Sequence, residues 1–278
     1  MQHLSIVTGI MHCGSTLLLD MLKVHDDVYA DFEIGILCAD DLNKTGLDKW
    51  CTDSAHFKIL NERYSITRNE ILSLHDSKDW KEAYHRLYQL IQTRDPKSQT
   101  RTHLIDKTPG YALLLDQVMS RMPGYQIIGL VRDPRAVYAS WLKRPERRIT
   151  PQEFMVLYNQ SMGALQNASA RTASVYLMRF EHLITNPHTQ LGMVCAHLGL
   201  TFKSDMCDPR KAFSQHDKTK NQYRPHGTDR PARDVSNSGL DVSVLQEYRT
   251  LLNERDQLDI IGNLALSLSW TLYRGMNR

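Results

Sequence analysis

The sequence predicts an α/β fold, a parallel sheet with helices on its faces, from three observations. Short apolar stretches alternate with longer segments of helical spacing. Two of the stretches end in a turn, Gly9 to Thr16 and Arg132 to Arg135, and each turn opens a helix. At 278 residues the chain is long enough to bury one large core, and a single domain over residues 1–278 is expected.

The predicted strands are Leu4–Thr8, His103–Asp106, Gln126–Val131 and Val175–Phe180, each apolar and each followed by a helical pattern. The predicted helices are Ser15–Val24, Lys78–Thr93, Tyr111–Arg121, Pro134–Lys143, Pro151–Thr172 and Pro187–Leu198. Asp133 before Pro134, and Asn186 before Pro187, read as capping residues with proline in the first helical position. Val28–Ala30 is a short extended piece after the first helix. Residues 43–99 are polar and helical without an obvious strand and read as a helical insertion on the sheet. Residues 203–240 are rich in Pro, Gly, Ser, Lys and Arg and predict a long surface loop, after which Val242–Leu251 and Asp256–Leu268 return to helical spacing.

Charge and composition exclude several classes. A net charge of +3 is too small for a general nucleic-acid binder, and nothing approaches the roughly 18 consecutive apolar residues of a membrane span. Five cysteines, without a CxxC pair or a leader pattern, read as reduced thiols in a cytoplasmic protein. The scattered His and Cys residues form no set with zinc spacing, so no metal is expected.

Residues 4–19, LSIVTGIMHCGSTLLL, carry the first chemical signal. A strand, a glycine-bounded turn and a helix N-terminus gather backbone N–H groups around an anion. The phosphate loop of ATP and GTP enzymes reads GxxxxGK and then Ser or Thr; here Ser15 stands in the lysine's place. Without that ammonium, a nucleotide lacking triphosphate chemistry fits better. The second signal is Arg132, at the carboxyl end of a buried strand where open α/β sheets bind ligands, with Ser140 eight residues on in the next helix. A guanidinium fork and a hydroxyl can bracket one phosphate; an arginine paired with its neighbours and a solvated serine are the plainer alternative.

Together these segments, GIMHCGSTLLLDML and LVRDPRAVYASW, resemble the two nucleotide signatures of sulfotransferases that use 3′-phosphoadenosine 5′-phosphosulfate (PAPS). Lys107-Thr108-Pro109 is similar to the family's KTP segment, and Arg179 to Leu183, Asn186-Pro187 and His197 to Leu200 are similar to its later YEDL, P and LGL stretch. The resemblance implies a three-layer sandwich with a central parallel sheet, the P-loop NTPase-like sulfotransferase fold. It implies PAPS as sulfuryl donor and PAP as product. Cys13, Gly14, Ser15 and Thr16 would hold the 5′-phosphosulfate, and Arg132 and Ser140 the 3′-phosphate. Phe180 stands where relatives carry a tyrosine near the adenine; as a strand-end aromatic it reads equally well as core.

His12 is the departure, because many members carry Arg or Lys there to stabilise the leaving group. An imidazole, with a reference pKa of about 6.5, can donate and, once protonated, supply charge; packing within the loop is the alternative. Glu33 is the candidate base: the segment from Gly9 through His25 to Glu33 is similar in spacing to tyrosylprotein sulfotransferases, in which a glutamate at this place takes the acceptor's proton. Asp31 is the fallback, and a carboxylate capping a helix near Ile34 is the structural alternative. His103 reads as a packed strand residue. In the 203–240 segment a basic lid over the nucleotide is expected, with Lys218 and Lys220 as its contacts.

The expected activity is sulfuryl transfer to a hydroxyl or amine of a small-molecule acceptor, a natural product or other small metabolite. Residues 43–99 would wall the acceptor side, where Trp50, Phe57, Tyr64, Trp80, Tyr84 and Tyr88 line a pocket or join the core. The competing readings are a P-loop small-molecule kinase, which Mg-ATP turnover would reveal, and a catalytically degenerate PAP-binding module, which would bind PAP without transfer.

Overall fold

The computed structural model describes residues 3–143, 149–214 and 240–265. Five parallel strands form one sheet: β1 (His3–Gly9), β2 (Val28–Phe32), β3 (His103–Lys107), β4 (Gln126–Val131) and β5 (Val175–Arg179), in the order β2-β3-β1-β4-β5. The helices are α1 (Ser15–Leu22), α2 (Lys44–Asp53), α3 (Ala55–Tyr64), α4 (Arg68–Leu72), α5 (Trp80–Arg94), α6 (Pro96–Gln99), α7 (Leu115–Arg121), α8 (Pro134–Leu142), α9 (Pro151–Arg171), α10 (Phe180–Thr185), α11 (Pro187–Leu198), α12 (Pro209–Ser214), α13 (Tyr248–Leu251) and α14 (Glu254–Gly262).

Right-handed crossovers fix the layers. The chain leaves β1 toward one edge through α1 and returns from β2 and β3 in the opposite sense, so α1 and α11 cover one face and α7 and α9 the other. The strand interiors are continuous apolar runs because both faces are covered: Ile6, Val7, Ile128 and Leu130 are all but inaccessible. Gly129 keeps β4 close to its neighbours, since a Cβ there would lie 2.7 Å from Leu165 Cδ2 and 2.7 Å from Leu177 Cδ2. Among the described residues no helix is long and apolar enough to cross a membrane, and no group of His, Cys, Asp and Glu is placed to hold a metal ion.

Several expectations change. Val28–Phe32 is a full edge strand, paired with β3 from Val28↔His103 to Phe32↔Lys107. Phe180 leaves the last strand and opens α10, its ring buried. Asn186 does not cap α11 with its side chain, which donates to Thr185 Oγ1 instead, whereas Asp133 does cap α8, accepting the Arg135 N–H at 2.8 Å. The first part of the expected loop is folded: a 3₁₀ turn (Ser204–Cys207) and α12 sink Met206 and Ala212 into the core beside α1. Lys218 and Lys220, and the rest of the expected lid, lie outside the described residues, as does the end of the predicted helix beyond residue 265.

Candidate active site

The carboxyl ends of β1, β2, β3, β4 and β5 deliver Gly9, Glu33, Lys107, Arg132 and Phe180 respectively to one edge of the sheet. This edge lies where the helix after β1 goes to one face and the helices after β3 and β4 to the other, the usual place for a crevice. His103 begins β3 at the opposite edge, stacked on His3 with ring centroids 4.8 Å apart, in keeping with a packed strand residue.

The loop after β1 is closed by its own backbone. Cys13 N–H donates to the Ile10 carbonyl at 3.1 Å, and His12 takes a left-handed conformation with φ 69°. Cys13 is fully buried as a packed wall of the loop, and burial pushes its thiol's pKa up. Gly14 precedes α1 with φ 98° and no side-chain cap; within the first turn Leu17 N–H donates back to the Gly14 carbonyl at 3.0 Å. A Cβ at Gly14 would sit 2.3 Å from Phe180 Cδ2, so glycine is required on both counts.

Arg132 is brought to the same loop. Its Nη1 donates to the His12 carbonyl at 3.1 Å, its Nη2 to the Val244 carbonyl at 3.4 Å, and its own carbonyl accepts Tyr158 Oη–H at 2.7 Å. The guanidinium carbon lies 4.4 Å over the centre of the Phe180 ring. Burial pushes the Arg132 pKa down, opposed first by the nearby Glu181 carboxylate. Ser140, on α8, comes within 3.4 Å of His12 Nδ1, and the His12 ring centroid is 5.7 Å from that of Trp141. The loop, Arg132, Ser140 and His12 therefore form one assembly, with the Phe180 ring wedged between Gly14 and Arg132.

Glu33 stands beside this assembly at the end of β2. Its φ of 49° is left-handed, a conformation that costs a non-glycine residue about 1–2 kcal/mol. Three hydrogen bonds support it: Glu33 N–H to the Lys107 carbonyl at 3.0 Å, His56 Nδ1 to the Glu33 carbonyl at 3.0 Å, and Ile34 N–H to Asp106 Oδ1 at 3.2 Å. The carboxylate faces Lys107, with Oε1 3.0 Å from Nζ. The lysine side chain is 1% exposed and the glutamate 25%. Asp31 belongs to β2, but its side chain lies outside the described residues.

Within the Lys107-Thr108-Pro109 motif the sequence assigns Lys107 no role, and it gives His56 and Asp106 none. Lys107 had a signal: a lysine closing an apolar strand has its stem committed to the core. Of the insertion's aromatics, Tyr84 and Tyr88 are core, Tyr64 and Trp50 are buried, and Trp80 lies under the Arg121 guanidinium at 4.0 Å. Trp50, with Cys38, Asp40, Asp53 and His56, lines a cavity of about 370 Å³ on this side of the sheet.

A profile of the Sulfotransferase family matches residues 6–204, which takes in the loop, Glu33, Lys107, Arg132, Ser140 and Phe180. The chain belongs to the sulfotransferase family. Its fold agrees with solved structures of that family. The sulfotransferase domain of the Synechococcus PCC 7002 olefin synthase is 18% identical with a TM-score of 0.61, over 95% of this chain and 93% of that one. The sulfotransferase domain from the curacin biosynthetic pathway is 16% identical with a TM-score of 0.55, over 94% of this chain and 97% of that one. No curated protein sequence matches the chain.

Proposed function

We propose that this sulfotransferase moves a sulfuryl group from PAPS to a hydroxyl or amine of a small-molecule acceptor, giving PAP and the sulfated product. What supports this reading is that the loop at Gly14 and the Arg132–Ser140 pair, the two candidate anion sites, are joined by the Arg132–His12 hydrogen bond. A donor carrying phosphate at both its 3′ and 5′ positions fits two such sites; a triphosphate would need the lysine that Ser15 replaces.

In this reading the amides of the α1 N-terminus, with the Ser15 and Thr16 hydroxyls, hold the 5′-phosphate, while Cys13 shapes the turn. Arg132 and Ser140 hold the 3′-phosphate. PAPS supplies the activated sulfuryl group. Phe180 keeps both sites in register and would pack near the adenine. His12, at the junction of the sites, donates toward charge on the leaving side, and Lys107 sets a fixed positive charge beside Glu33. Glu33 takes the acceptor's proton as the new bond to sulfur forms. The cavity at Trp50 and His56 supports a small acceptor, because His56 both lines it and holds the Glu33 carbonyl.

Calorimetric titration with PAP, and PAP formation from PAPS across an acceptor panel read by mass spectrometry, test the reading. Tight PAP binding and a sulfated product are expected. Glu33→Gln should lower PAP formation on the order of 10²–10⁴-fold with PAP affinity kept. Binding of ATP in place of PAP, with phosphate transfer, overturns the reading; PAP binding without transfer leaves only its nucleotide half.

A further inference from the structure

Beneath the Glu33–Lys107 pair lies a buried polar cluster that the proposed reaction does not use. The Asp106 side chain is fully buried. Its Oδ1 accepts from Thr108 Oγ1 at 2.7 Å and from Ile34 N–H at 3.2 Å. Its Oδ2 accepts from the Tyr84 hydroxyl, and Tyr111 supplies a further hydrogen bond. Burial pushes the Asp106 pKa up and these donors draw it back. A buried carboxylate is a poor way to stabilise a core, since an apolar replacement of similar volume is often neutral or better. Three of the donors are hydroxyls that phenylalanine or valine could replace. The fourth is a backbone N–H that no side-chain substitution removes, and it belongs to the peptide that follows Glu33.

That peptide decides where the base stands. In its left-handed conformation Glu33 has its N–H on the Lys107 carbonyl, its carbonyl on His56 and the next N–H on Asp106. Rotation to an ordinary conformation turns the Glu33–Ile34 peptide and breaks the last two bonds together, carrying the carboxylate away from Lys107. Strand register supplies the leverage: Asp31 pairs with Asp106 and Phe32 with Lys107, so Asp106 and Lys107 flank the point where β2 ends.

We propose that Asp106 is a positioning residue for the proposed base, its buried carboxylate holding Glu33 left-handed and against Lys107 through the Ile34 N–H. The proposal rests on the reading of Glu33 as base. It separates the cluster's tyrosines, which serve packing, from the single backbone bond that serves the reaction.

The test compares two replacements in a Tyr84→Phe background, which removes the donor facing Oδ2. Asp106→Asn keeps an oxygen acceptor for Ile34; Asp106→Leu removes it. Crystal structures read the Glu33 φ and its distance to Lys107, and PAP formation from PAPS reads the rate with any acceptor, water included. In the asparagine variant the φ near 49° and the Lys107 contact should persist, at the rate of Tyr84→Phe alone. In the leucine variant the contact should be lost and the rate should fall at least about 10-fold, since a misplacement of about 1 Å costs on the order of 10²-fold. PAP affinity should hold, and adding Glu33→Gln should abolish the leucine penalty. An unmoved Glu33 with an unchanged rate in the leucine variant overturns the proposal, as does a penalty of equal size with and without Glu33. If the leucine variant does not fold, Asp106→Ala in the Tyr84→Phe background, which also removes the acceptor for Ile34 N–H, decides by the same cycle with Glu33→Gln, equal penalties again overturning it. Full turnover by Glu33→Gln alone is a different failure: it removes the base reading itself, and the Asp106 proposal with it.

Discussion

Arg132 donates to the His12 carbonyl at 3.1 Å, so the arginine that closes β4 is fastened to the loop that follows β1. The bond spans the boundary between the two proposed anion sites. In the proposed reading Arg132 therefore acts twice, as a fork for one phosphate and as a brace for the loop that takes the other.

This double role predicts an ordering of substitutions. Arg132→Ala should weaken PAP binding on the order of 10–100-fold, from the ~1.5–3 kcal/mol of a charge-assisted hydrogen bond. Arg132→Lys should fall between, because an ammonium carries the charge without the fork. Ser140→Ala removes one neutral hydroxyl, worth about 1 kcal/mol, and should cost only several-fold. Calorimetric titration with PAP reads all three; unchanged affinity in Arg132→Ala would remove Arg132 from the nucleotide site.

The wedge at Phe180 makes a second prediction. Gly14→Ala faces a 2.3 Å approach to the Phe180 ring and a φ of 98°. The variant should lose at least the ~1–3 kcal/mol of a left-handed non-glycine residue, and its PAP affinity should drop with it. Adding Phe180→Ala clears the steric clash and leaves the backbone cost, at the further expense of a cavity. Thermal melts should thus show no recovery to the native midpoint in the double variant. Native melting and PAP binding by Gly14→Ala would contradict the wedge.

How much of this was legible in the sequence follows from which interactions are local. The loop from Gly9 to Thr16 and the Arg132–Ser140 pair are written in contiguous residues, with Asp133 and Pro134 marking the helix start, and both sit where the sequence placed them. The strand at Val28–Phe32 was only half legible because an edge strand is made by its partner, here β3, seventy-five residues away at Val28↔His103. Lys107 gained no role from sequence because its meaning lies in Glu33, across a separation of 74 residues. Phe180 read as strand because it is apolar and follows one; Gly14, far off in the chain, is what its ring packs against.

The Glu33–Lys107 pair is unequal in burial, and this predicts unequal stability effects. Lys107 is 1% exposed and Glu33 25%, so the carboxylate keeps some solvent and the ammonium almost none. Glu33→Ala removes the carboxylate 3.0 Å from the buried Lys107 ammonium and should destabilise the fold by about 1–3 kcal/mol. Lys107→Met puts an apolar chain of similar length into the same space and leaves a partly hydrated carboxylate, so its effect on stability should be smaller. Both should depress PAP formation. Urea denaturation compares them; a larger loss in Lys107→Met would reverse the predicted order.

Acid sensitivity of the fold should come from partly buried histidines. Burial lowers the pKa of His85, His103, His182 and His197; His197 Nε2 also meets the Ser174 carbonyl at 3.2 Å. For a depressed pKa the unfolded chain binds protons first as pH falls. The stabilising contribution is therefore complete above the unfolded value, about 6.5, and is lost as pH drops toward the folded values. Asp106 and Glu181 run the other way: their pKa values are raised by burial, so their contribution is complete below about 4 and declines as pH rises through the folded values. In the interval just below pH 6.5 the four histidines oppose the two carboxyls, and by number the melting temperature should fall on going from about pH 7.5 to about pH 5.5. Replacing His103 and His197 with asparagine should flatten that fall, because two of the four protonation sites are gone. A slope unchanged by the double replacement would trace the acid sensitivity to other groups.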